Sequence, residues 1–278
     1  MSDQRKLETG TDDLLGWVEN GVAVLSFNRP GSRNALSTEM YGGFAAALPI
    51  VVEDPSIGCL VITGEGGAFC AGGDVKGFAE SHRSDDAAAR PAPSAAIDNL
   101  RRRQAEVSLA LHRLPKVTVA AIPGPAAGAG LSIALACDFR VATQRAVLVS
   151  AFSKIGASGD FGGSYFLTQL VGPSKAKEMY MFSERMNAQE ALDFGIVNRV
   201  FPDDEFGDAW RLFAQRIAAG PTLANRAIKE NINRALVADL ATCLDAEAGN
   251  MVATMATQDH RSAVAAFVAK TEPKFDGR

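Results

Sequence analysis

The stretch AAIPGPAAGAGLSIALACDFR, residues 120–140, decides the fold. Its first residues end a mostly apolar run at residues 116–122 that predicts a strand. Residues 124–131 then form a turn of glycine, alanine and proline, and an apolar helix is predicted from Gly128 to Ala136. A buried strand that leads through a small-residue turn into a buried helix is typical of α/β proteins, so the sequence predicts that class.

A second small-residue turn, AFCAGGD at residues 68–74, follows a predicted strand CLVIT at residues 59–63. Glycine and alanine let another backbone or a ligand come close, and a helix that begins at Gly128 has N–H groups without partners. Two such N–H groups from separate turns can hold one oxygen that becomes negative during a reaction. Neither turn has the pattern of a nucleotide-binding loop. We therefore treat the turns as a candidate oxyanion hole, although tight turns can also serve packing alone.

The rest of the sequence predicts repeated strand–strand–helix units followed by helices. Asn20-Gly21 favours a tight turn within a hairpin at residues 14–27. Residues 38–52 predict a helix capped by Ser37 or Thr38. After residue 160 the sequence predicts mainly helices, at 164–170 and 175–181, followed by one that begins with a capping box at 187–190. A strand is predicted at 197–200, and four further helices are predicted at 206–219, 222–236, 239–256 and 258–269.

We divide the chain into a frayed tail at residues 1–13, a core at residues 14–205 and a helical C-terminal region at residues 206–278. Within the core, residues 80–98 are rich in alanine, serine, aspartate and proline and have no apolar period. They predict a mobile lid or a poorly ordered loop, and a helix is expected to follow at residues 100–114.

Composition excludes several classes of function. The chain has 278 residues and a net charge of −4, which argues against nucleic-acid binding by general electrostatic attraction. No apolar run reaches the ~18 residues of a membrane span, and the polar N-terminus does not resemble a secretory signal. The four cysteines contain no CxxC pair and predict reduced thiols in a cytoplasmic protein. The three histidines lack the spacing of metal ligands, so we expect no metal.

Five ordered motifs resemble the crotonase superfamily, the enoyl-CoA hydratase/isomerase family, from about Val18 to the C-terminus. They are RPGSRNALS at 29–37, AFCAGGD at 68–74, the stretch at 120–140, AQEALDFGIVNRV at 188–200 and AFVAKTEPKF at 266–275. The resemblance implies a spiral of repeated β-β-α units with a helical C-terminal trimerisation region. It also implies a coenzyme A thioester as substrate, no tightly bound cofactor, and assembly into a homotrimer or a hexamer made of two trimers.

The resemblance also assigns roles to individual residues. It implies that the backbone N–H groups of Gly73 and Ala129 hold the thioester oxygen. It places residues of the first loop, the turn at 68–74 and the C-terminal segment around coenzyme A: Arg33, Ala35, Ala71, Asp74, Val75, Lys270, Lys274 and Phe275. We further expect three phenylalanines to line a small acyl pocket: Phe69, Phe152 and Phe161.

Departures from the family pattern point to one reaction. Ser132 and Phe152 stand where two-carboxylate hydratases carry glutamates. One acid, Asp160, lies in FSKIGASGDFGG, which is similar to the segment carrying the single catalytic carboxylate of Δ3,Δ2-enoyl-CoA isomerases and phenylacetate-pathway ring-opening isomerases. Gly159 replaces their usual proline. One carboxylate is enough to move a proton between two carbons of an enoyl chain, so isomerisation is the favoured function.

Three alternatives stay open at the level of sequence. The protein could be an enoyl-CoA hydratase, or a non-catalytic acyl-CoA binder in which Asp160 only caps a helix. The 4-chlorobenzoyl-CoA dehalogenases also place an aspartate here, together with a tryptophan and an upstream histidine. This chain has Phe152 and Ala105 at those two positions, which disfavours dehalogenation.

Overall fold

The computed structural model describes residues 4–74 and 92–278, which contain two β-sheets. Apolar residues that alternate or run continuously, bounded by glycine and polar turns, form the strands. The strands are β1 (Arg5–Lys6), β2 (Leu14–Glu19), β3 (Val22–Phe27), β4 (Cys59–Gly64), β5 (Val117–Ile122), β6 (Ala126–Ala127), β7 (Phe139–Thr143), β8 (Val147–Val149), β9 (Met186–Asn187) and β10 (Arg199–Phe201).

Helices connect the strands and make up the C-terminal region. They are α1 (Thr38–Glu53), α2 (Pro93–Gln104), α3 (Ala110–Arg113), α4 (Ala129–Ala136), α5 (Gly163–Phe182), α6 (Ala188–Asp193), α7 (Phe206–Ala218), α8 (Thr222–Ala235), α9 (Leu240–Met255) and α10 (Gln258–Ala269). A π-helical turn, Ala105–Leu109, joins α2 to α3.

The larger sheet has the strand order β1-β2-β3-β4-β5-β7-β10. Its first two pairs are antiparallel, and every pair from β3 to β10 is parallel. Parallel neighbours end at the same edge of a sheet, so the segments that follow β3, β4 and β5 lie side by side. The smaller sheet has the strand order β6-β8-β9, and its first strand, β6, lies in the segment that directly follows β5. The candidate site is built at this edge.

Both faces of the larger sheet are covered. On one face, α1 and α4 pack into the main core, and every residue of α4 is buried. On the other face, Trp210 and Ala214 of α7 pack against Val24, Val61 and Val119. Burial on both faces explains why the central strands are continuous apolar runs. The predicted α/β class is confirmed.

Local signals in the sequence placed several elements correctly. The hairpin turns at Asn20 and Gly21, whose φ angles are +50° and +76°. Ser37 caps α1, since its hydroxyl accepts a hydrogen bond from Met40 N at 3.3 Å. Asn187 forms the predicted capping box with Glu190 at the start of α6.

Other expectations were wrong in part. Residues 5–13 are not a frayed tail, because Arg5–Lys6 pairs with β2 and Leu7 is buried. Of the predicted lid at 80–98, residues 80–91 lie outside the described residues, whereas residues 93–98 already belong to α2, so that helix begins before residue 100. A proline at its first turn accounts for the early start, because proline is favoured there.

Two further boundaries differ from the expectation. The helices predicted at 164–170 and 175–181 form one element, α5, which is interrupted at Gly172 with φ 74° and ψ 167°. The strand predicted at 197–200 starts later, at Arg199. None of the helices in the described part of the chain has the length and hydropathy to span a bilayer. All four cysteines are free thiols.

Candidate active site

The two small-residue turns, residues 68–74 (the first turn) and 124–131 (the second turn), lie in direct contact. Ala127 N–H donates to Cys70 O at 2.9 Å, and Phe69 N–H donates to Pro125 O at 3.0 Å. At Gly72, which has φ +86°, a Cβ atom would lie 2.7 Å from Ala127 O and 3.1 Å from the amide N of the first residue of α4. Only glycine permits this approach.

The structure therefore brings the predicted oxyanion-hole residues to adjoining backbone segments. Ala129 is the first residue of α4, and its N–H belongs to the first turn of that helix, where intrahelical acceptors are missing. Among residues 4–74 and 92–278, neither the Ala129 amide nor the Gly73 amide has a hydrogen-bond acceptor. That both amides bind one oxygen stays a prediction.

The loop at residues 29–37 is fixed against the first turn. The buried amide of Asn34 donates to Glu65 O and Ala68 O at 2.9 and 2.8 Å. Arg33 O accepts from Ala71 N at 3.0 Å. One buried side chain and one main-chain bond thus hold this wall of the candidate coenzyme A pocket in place.

The predicted residues of this wall do come together. Ala35 is buried in the same loop, and Asp74 lies 3.6 Å from Arg29 across an ion pair. Val75 lies outside the described residues. The Asn34 side chain, which also accepts a hydrogen bond from Arg29 N at 2.8 Å, is central to the order of this wall.

Asp160 lies in the loop at residues 152–162, the acid loop, between β8 and α5. Its Oδ1 atom is buried and has no hydrogen-bond partner within the described part of the chain. Burial alone raises the pKa of this carboxyl from 3.8 to about 6. The side chain does not cap α5, because the N-cap is Gly162 and no side-chain cap bond forms. The helix-cap alternative is therefore wrong.

Two stacked pairs of aromatic rings involve residues of the acid loop. The ring of the next residue, Phe161, stacks on Tyr41 of α1 with centroids 5.9 Å apart. Phe152 stacks on Tyr180 of α5, also at 5.9 Å. Both phenols have a raised pKa of about 12, caused mainly by burial and to a smaller extent by the Asp160 charge. The acid therefore faces a largely apolar, neutral surface.

The acid loop also meets the second turn. A Cβ atom at Gly128 would lie 3.9 Å from Cε1 of Phe152. A Cβ atom at Gly159 would lie 2.8 Å from Cε1 of Tyr180. Phe152 and Tyr180 thus fill the space between the start of α4 and the loop that carries Asp160, and they join the two parts into one site.

Sequence reasoning missed Tyr41 and Tyr180, two of the three tyrosines in the chain. No local motif marks either residue. Tyr180 reaches the start of its own helix only because α5 is interrupted at Gly172, so that the second arm folds back on the first. The sequence did contain that signal, Gly172-Pro173, but its consequence for the site depends on tertiary structure.

Phe69 does not share the surroundings of the other two predicted phenylalanines. Its ring is fully buried and packs edge-on against Phe27, 5.5 Å away in the main core. Phe69 therefore packs on the core side of the first turn. Phe152 and Phe161 instead stack on Tyr180 and Tyr41, respectively. That these rings line an acyl pocket stays a prediction.

A cavity of about 870 Å³ opens beside the acid loop. Phe161 and Gly162 form part of its wall, and the remaining wall comes from α2, α3, α5, α8 and the π-helical turn. Its rim is basic, with Arg101 and Arg113 among the lining residues. The cavity thus lies between the end of the acid loop and the C-terminal helix α8.

The C-terminal residues implied by the resemblance lie elsewhere in the chain. Lys270 ends α10, and the tail that contains Lys274 and Phe275 is tied back to Asp259, which accepts bonds from Asp276 N and Gly277 N. No described contact joins them to Asp160. The described residues also contain no group of three His, Cys, Asp or Glu side chains that could hold a metal.

Comparisons with known proteins identify the family of the chain. The sequence model for enoyl-CoA hydratase/isomerase matches residues 18–278. The chain is 34% identical over 265 residues to 1,2-epoxyphenylacetyl-CoA isomerase of Escherichia coli K12, covering 95% of this chain and 98% of that protein. It is 33% identical over 255 residues to 4-chlorobenzoyl coenzyme A dehalogenase-2 of an Arthrobacter species, covering 90% and 88%.

Similarity extends to solved structures. The crystal structure of an enoyl-CoA hydratase from Polaromonas sp. JS666 matches with a TM-score of 0.87 at 33% identity, covering 94% of this chain and 99% of that one. The chain belongs to the enoyl-CoA hydratase/isomerase family and is an acyl-CoA enzyme of that family. Relatives named as isomerase, hydratase and dehalogenase share a similar level of identity, so the reaction has to be argued from the site.

Proposed function

We propose that the protein is an enoyl-CoA isomerase that shifts a double bond by proton transfer through Asp160. The observation that carries this proposal is a half-buried carboxylate whose Oδ1 atom has no partner among the described residues, in a loop that has two stacked ring pairs and lies against the second turn. The positions that hold glutamates in two-carboxylate hydratases contain Ser132 and Phe152. Neither side chain can deprotonate a water molecule at neutral pH.

In the proposed reaction, the Asp160 carboxylate removes a proton from one carbon of the acyl chain. The electron pair of the broken C–H bond moves into the thioester, whose oxygen becomes an enolate. The amides of Gly73 and Ala129 hold that oxygen, and one such donor is typically worth roughly 3–4 kcal/mol of transition-state stabilisation. Asp160 then returns the proton to another carbon, so the double bond has moved and no atom is gained or lost.

The proposal is tested by Asp160→Asn on 3-enoyl-CoA substrates, with formation of the conjugated 2-enoyl-CoA followed by absorbance. Loss of a general base is expected to lower kcat by about 10²–10⁴-fold while binding of the substrate changes little. Asp204→Asn is the matched control, since Asp204 is an exposed carboxylate outside the site. Equal turnover by Asp160→Asn and the control would refute the isomerase proposal.

Wild-type turnover should also depend on pH in a defined direction. Asp160 must be ionised to act as a base, so kcat should rise with pH around the carboxyl pKa of about 6 and then level off. A profile that is flat across this range, or that falls as pH rises through it, would contradict the role of Asp160 as the base.

The same preparation distinguishes the alternatives. Crotonyl-CoA tests for hydration, and an acyl-CoA binding assay without turnover on any enoyl-CoA would indicate a non-catalytic homologue. 4-Chlorobenzoyl-CoA tests for dehalogenation, in which Asp160 would attack the ring as a nucleophile and chloride would leave. The stacking of Phe152 on Tyr180 and the alanine at position 105 leave that reaction without its expected partners, so no chloride release is expected.

We also propose that the chain assembles as a homotrimer or as a hexamer of two trimers, in the cytoplasm. The C-terminal helices expose large apolar side chains, with Leu240 74% and Phe267 84% exposed in the single chain. Lys270, Lys274 and Phe275 would then meet coenzyme A bound to a neighbouring subunit. Sedimentation should report three or six copies, and a monomer at micromolar concentration would refute the assembly.

A further inference from the structure

The cavity beside the acid loop lies between two helical segments that both supply basic residues to its wall. One is the continuous segment of α2, the π-helical turn and α3, and the other is α8. Phe161 and the start of α5 complete the wall. Because Phe161 directly follows Asp160 in the chain, the cavity begins one residue from the proposed catalytic acid. Five cationic side chains line it: Arg101, Arg113, Arg226, Lys229 and Arg234.

The charges of this wall are not balanced within the described fold. Three of the cations have carboxylate partners: Arg101 with Asp98, Arg226 with Glu230 and Lys229 with Asp138. The guanidinium groups of Arg113 and Arg234 have no ion pair or hydrogen bond among residues 4–74 and 92–278. His112 adds no charge at neutral pH, because burial is the main cause that lowers its pKa. Two positive charges therefore remain without a partner in the part of the chain that the structure describes.

The hydroxyl of Ser108 is a further unpaired group in the same wall. Ser108 lies in the π-helical turn and is 4% exposed, and its Oγ atom has no hydrogen-bond partner within the described residues. A buried hydroxyl without a partner lowers stability, and alanine would occupy this position without that cost. Turns of π-helix inside α-helices are frequent at functional sites. Ser108 thus contributes a donor that the fold itself does not use.

We propose that this cavity holds the far end of the acyl chain and that this end is a carboxylate, with Arg113 and Arg234 supplying charge and Ser108 a hydrogen bond. A carboxylate accepts hydrogen bonds from both guanidinium and hydroxyl groups, and it neutralises excess positive charge. The inference rests on the proposed function, because it names the class of enoyl-CoA that the isomerase takes: one with an acidic group at the end away from the thioester.

The cavity suits the rest of such a chain as well. Its volume of about 870 Å³ lies in the range of small-molecule sites. The rings of Tyr165 and Phe166 lie in the wall and offer apolar contact to methylene groups. Exposed arginines are ordinarily solvated and interact weakly with single partners. This wall differs from an ordinary basic surface because it combines two such arginines with a buried, unpaired serine.

The test compares two pairs of saturated ligands that cannot react: hexanoyl-CoA with adipoyl-CoA, and octanoyl-CoA with suberoyl-CoA. The members of each pair differ in a terminal methyl or carboxylate group, and calorimetry at low ionic strength gives their dissociation constants. The wild-type protein should bind the carboxylate-ended member of at least one pair about tenfold more tightly. Equal affinities within both pairs, or tighter binding of the methyl-ended members, would overturn the proposal.

Two arginine variants locate the preference. Arg113→Gln and Arg234→Gln should each reduce it about threefold, and the double variant should remove most of it. Arg216→Gln is the matched control, because Arg216 is an exposed arginine of α7 that does not line the cavity. A preference that survives the double variant, or that falls equally in the control, would show that no carboxylate site lies in this cavity.

A serine variant tests the third group. Ser108→Ala should reduce the preference about threefold and should be at least as stable as wild type in chemical denaturation, because an unpaired buried hydroxyl is lost. Thr143→Val is the matched control, since Thr143 Oγ1 is also buried without a partner among the described residues but lies in β7, outside the cavity. Full preference in Ser108→Ala, or a clear loss of stability, would contradict the role of Ser108.

The binding measurements need no turnover, so they separate this inference from the proposed function. If Asp160→Asn keeps full isomerase activity while the preference and its variant pattern hold, the proposed function fails and the carboxylate site stands. If Asp160→Asn is inactive while both ligand pairs bind without a preference, the carboxylate site fails and the isomerase stands.

Discussion

The two halves of the site are held in place by different kinds of interaction. The first and second turns are fixed by main-chain contacts so close that a single Cβ atom does not fit, as at Gly72 and Gly130. The acid loop is fixed by side chains, namely two stacked ring pairs and a cluster of serine hydroxyls. Under the proposed function, the backbone half would bind the thioester oxygen whatever the reaction is, and the side-chain half would decide which proton moves.

This difference agrees with the range of names among the relatives. Proteins at 33–34% identity to this chain are called isomerase, hydratase and dehalogenase. If the main-chain amides hold the thioester oxygen as proposed, this half of the site is compatible with all three names, because such donors stabilise a charge on that oxygen. The choice among them then depends on a few side chains, of which Asp160, Ser132 and Phe152 are the ones the acid loop and α4 supply here.

The largest effect is expected from Gly130→Ala. A Cβ atom at this position would overlap Cys70 O and lie 2.7 Å from Cys70 Cβ, and both are backbone or near-backbone atoms that cannot move aside. Overpacking of this kind should destabilise the fold by about 3 kcal/mol or more, as measured by chemical denaturation.

Gly42→Ala is the matched control for that substitution. Gly42 lies in α1 with no atom within 4 Å of a Cβ position, so alanine there should stabilise the protein by up to about 1 kcal/mol through helix propensity. If Gly130→Ala were as stable as wild type, the claim that the turns are fixed by main-chain proximity would be wrong.

A smaller effect, of opposite sign, is expected from Asp160→Asn at neutral pH. The folded-state pKa of about 6 lies above the ordinary value of 3.8, so folding favours the protonated acid. The contribution of this group to the free energy of unfolding is complete below pH 3.8 and is lost as pH rises through about 6. At neutral pH the buried charge costs at most about 3 kcal/mol, at ~1.4 kcal/mol per pKa unit, and partial exposure of the side chain reduces this.

Asparagine has no charge to bury, so the variant should be more stable than wild type above pH 6 and equal to it below the ordinary pKa of 3.8. Thermal denaturation of both proteins across this range checks the prediction. A variant that is less stable at every pH would mean that the Asp160 carboxylate is bonded in the fold rather than held free.

The sequence predicted the backbone half of the site better than the side-chain half. Glycine and alanine patterns at 68–74 and 124–131 encode close main-chain approach directly, because no other residues permit it. Asp160 was also predictable, since it is the one acid in its motif. Phe69 was misplaced because a phenylalanine next to a glycine turn can face either the core or a pocket, and only packing against Phe27 decides which.

Tyr180 was not predictable in the same way. Its position at the site depends on the interruption of α5 at Gly172, which returns the second arm of the helix to the first. The Gly-Pro pair signals that a helix is interrupted, but the angle between the arms follows from tertiary contacts. Among those contacts is Ser183, which lies just after α5 and binds the acid loop.

The smallest effect is expected from Ser183→Ala, and it tests the side-chain half directly. The fully buried Ser183 hydroxyl lies 2.9 Å from Ser150 Oγ and 2.8 Å from Ser153 Oγ, so it ties the beginning of the acid loop to the end of α5. Its removal takes one partner from the buried Ser150 hydroxyl, which should cost about 1–2 kcal/mol in chemical denaturation. Because the serines hold Phe152 against Tyr180, kcat should fall while affinity for the substrate is retained.

Ser174→Ala on the same helix should change neither quantity. If Ser183→Ala weakened substrate binding but left kcat intact, the serine cluster would belong to the binding half of the site, and the division between a backbone half and a side-chain half would need to be redrawn.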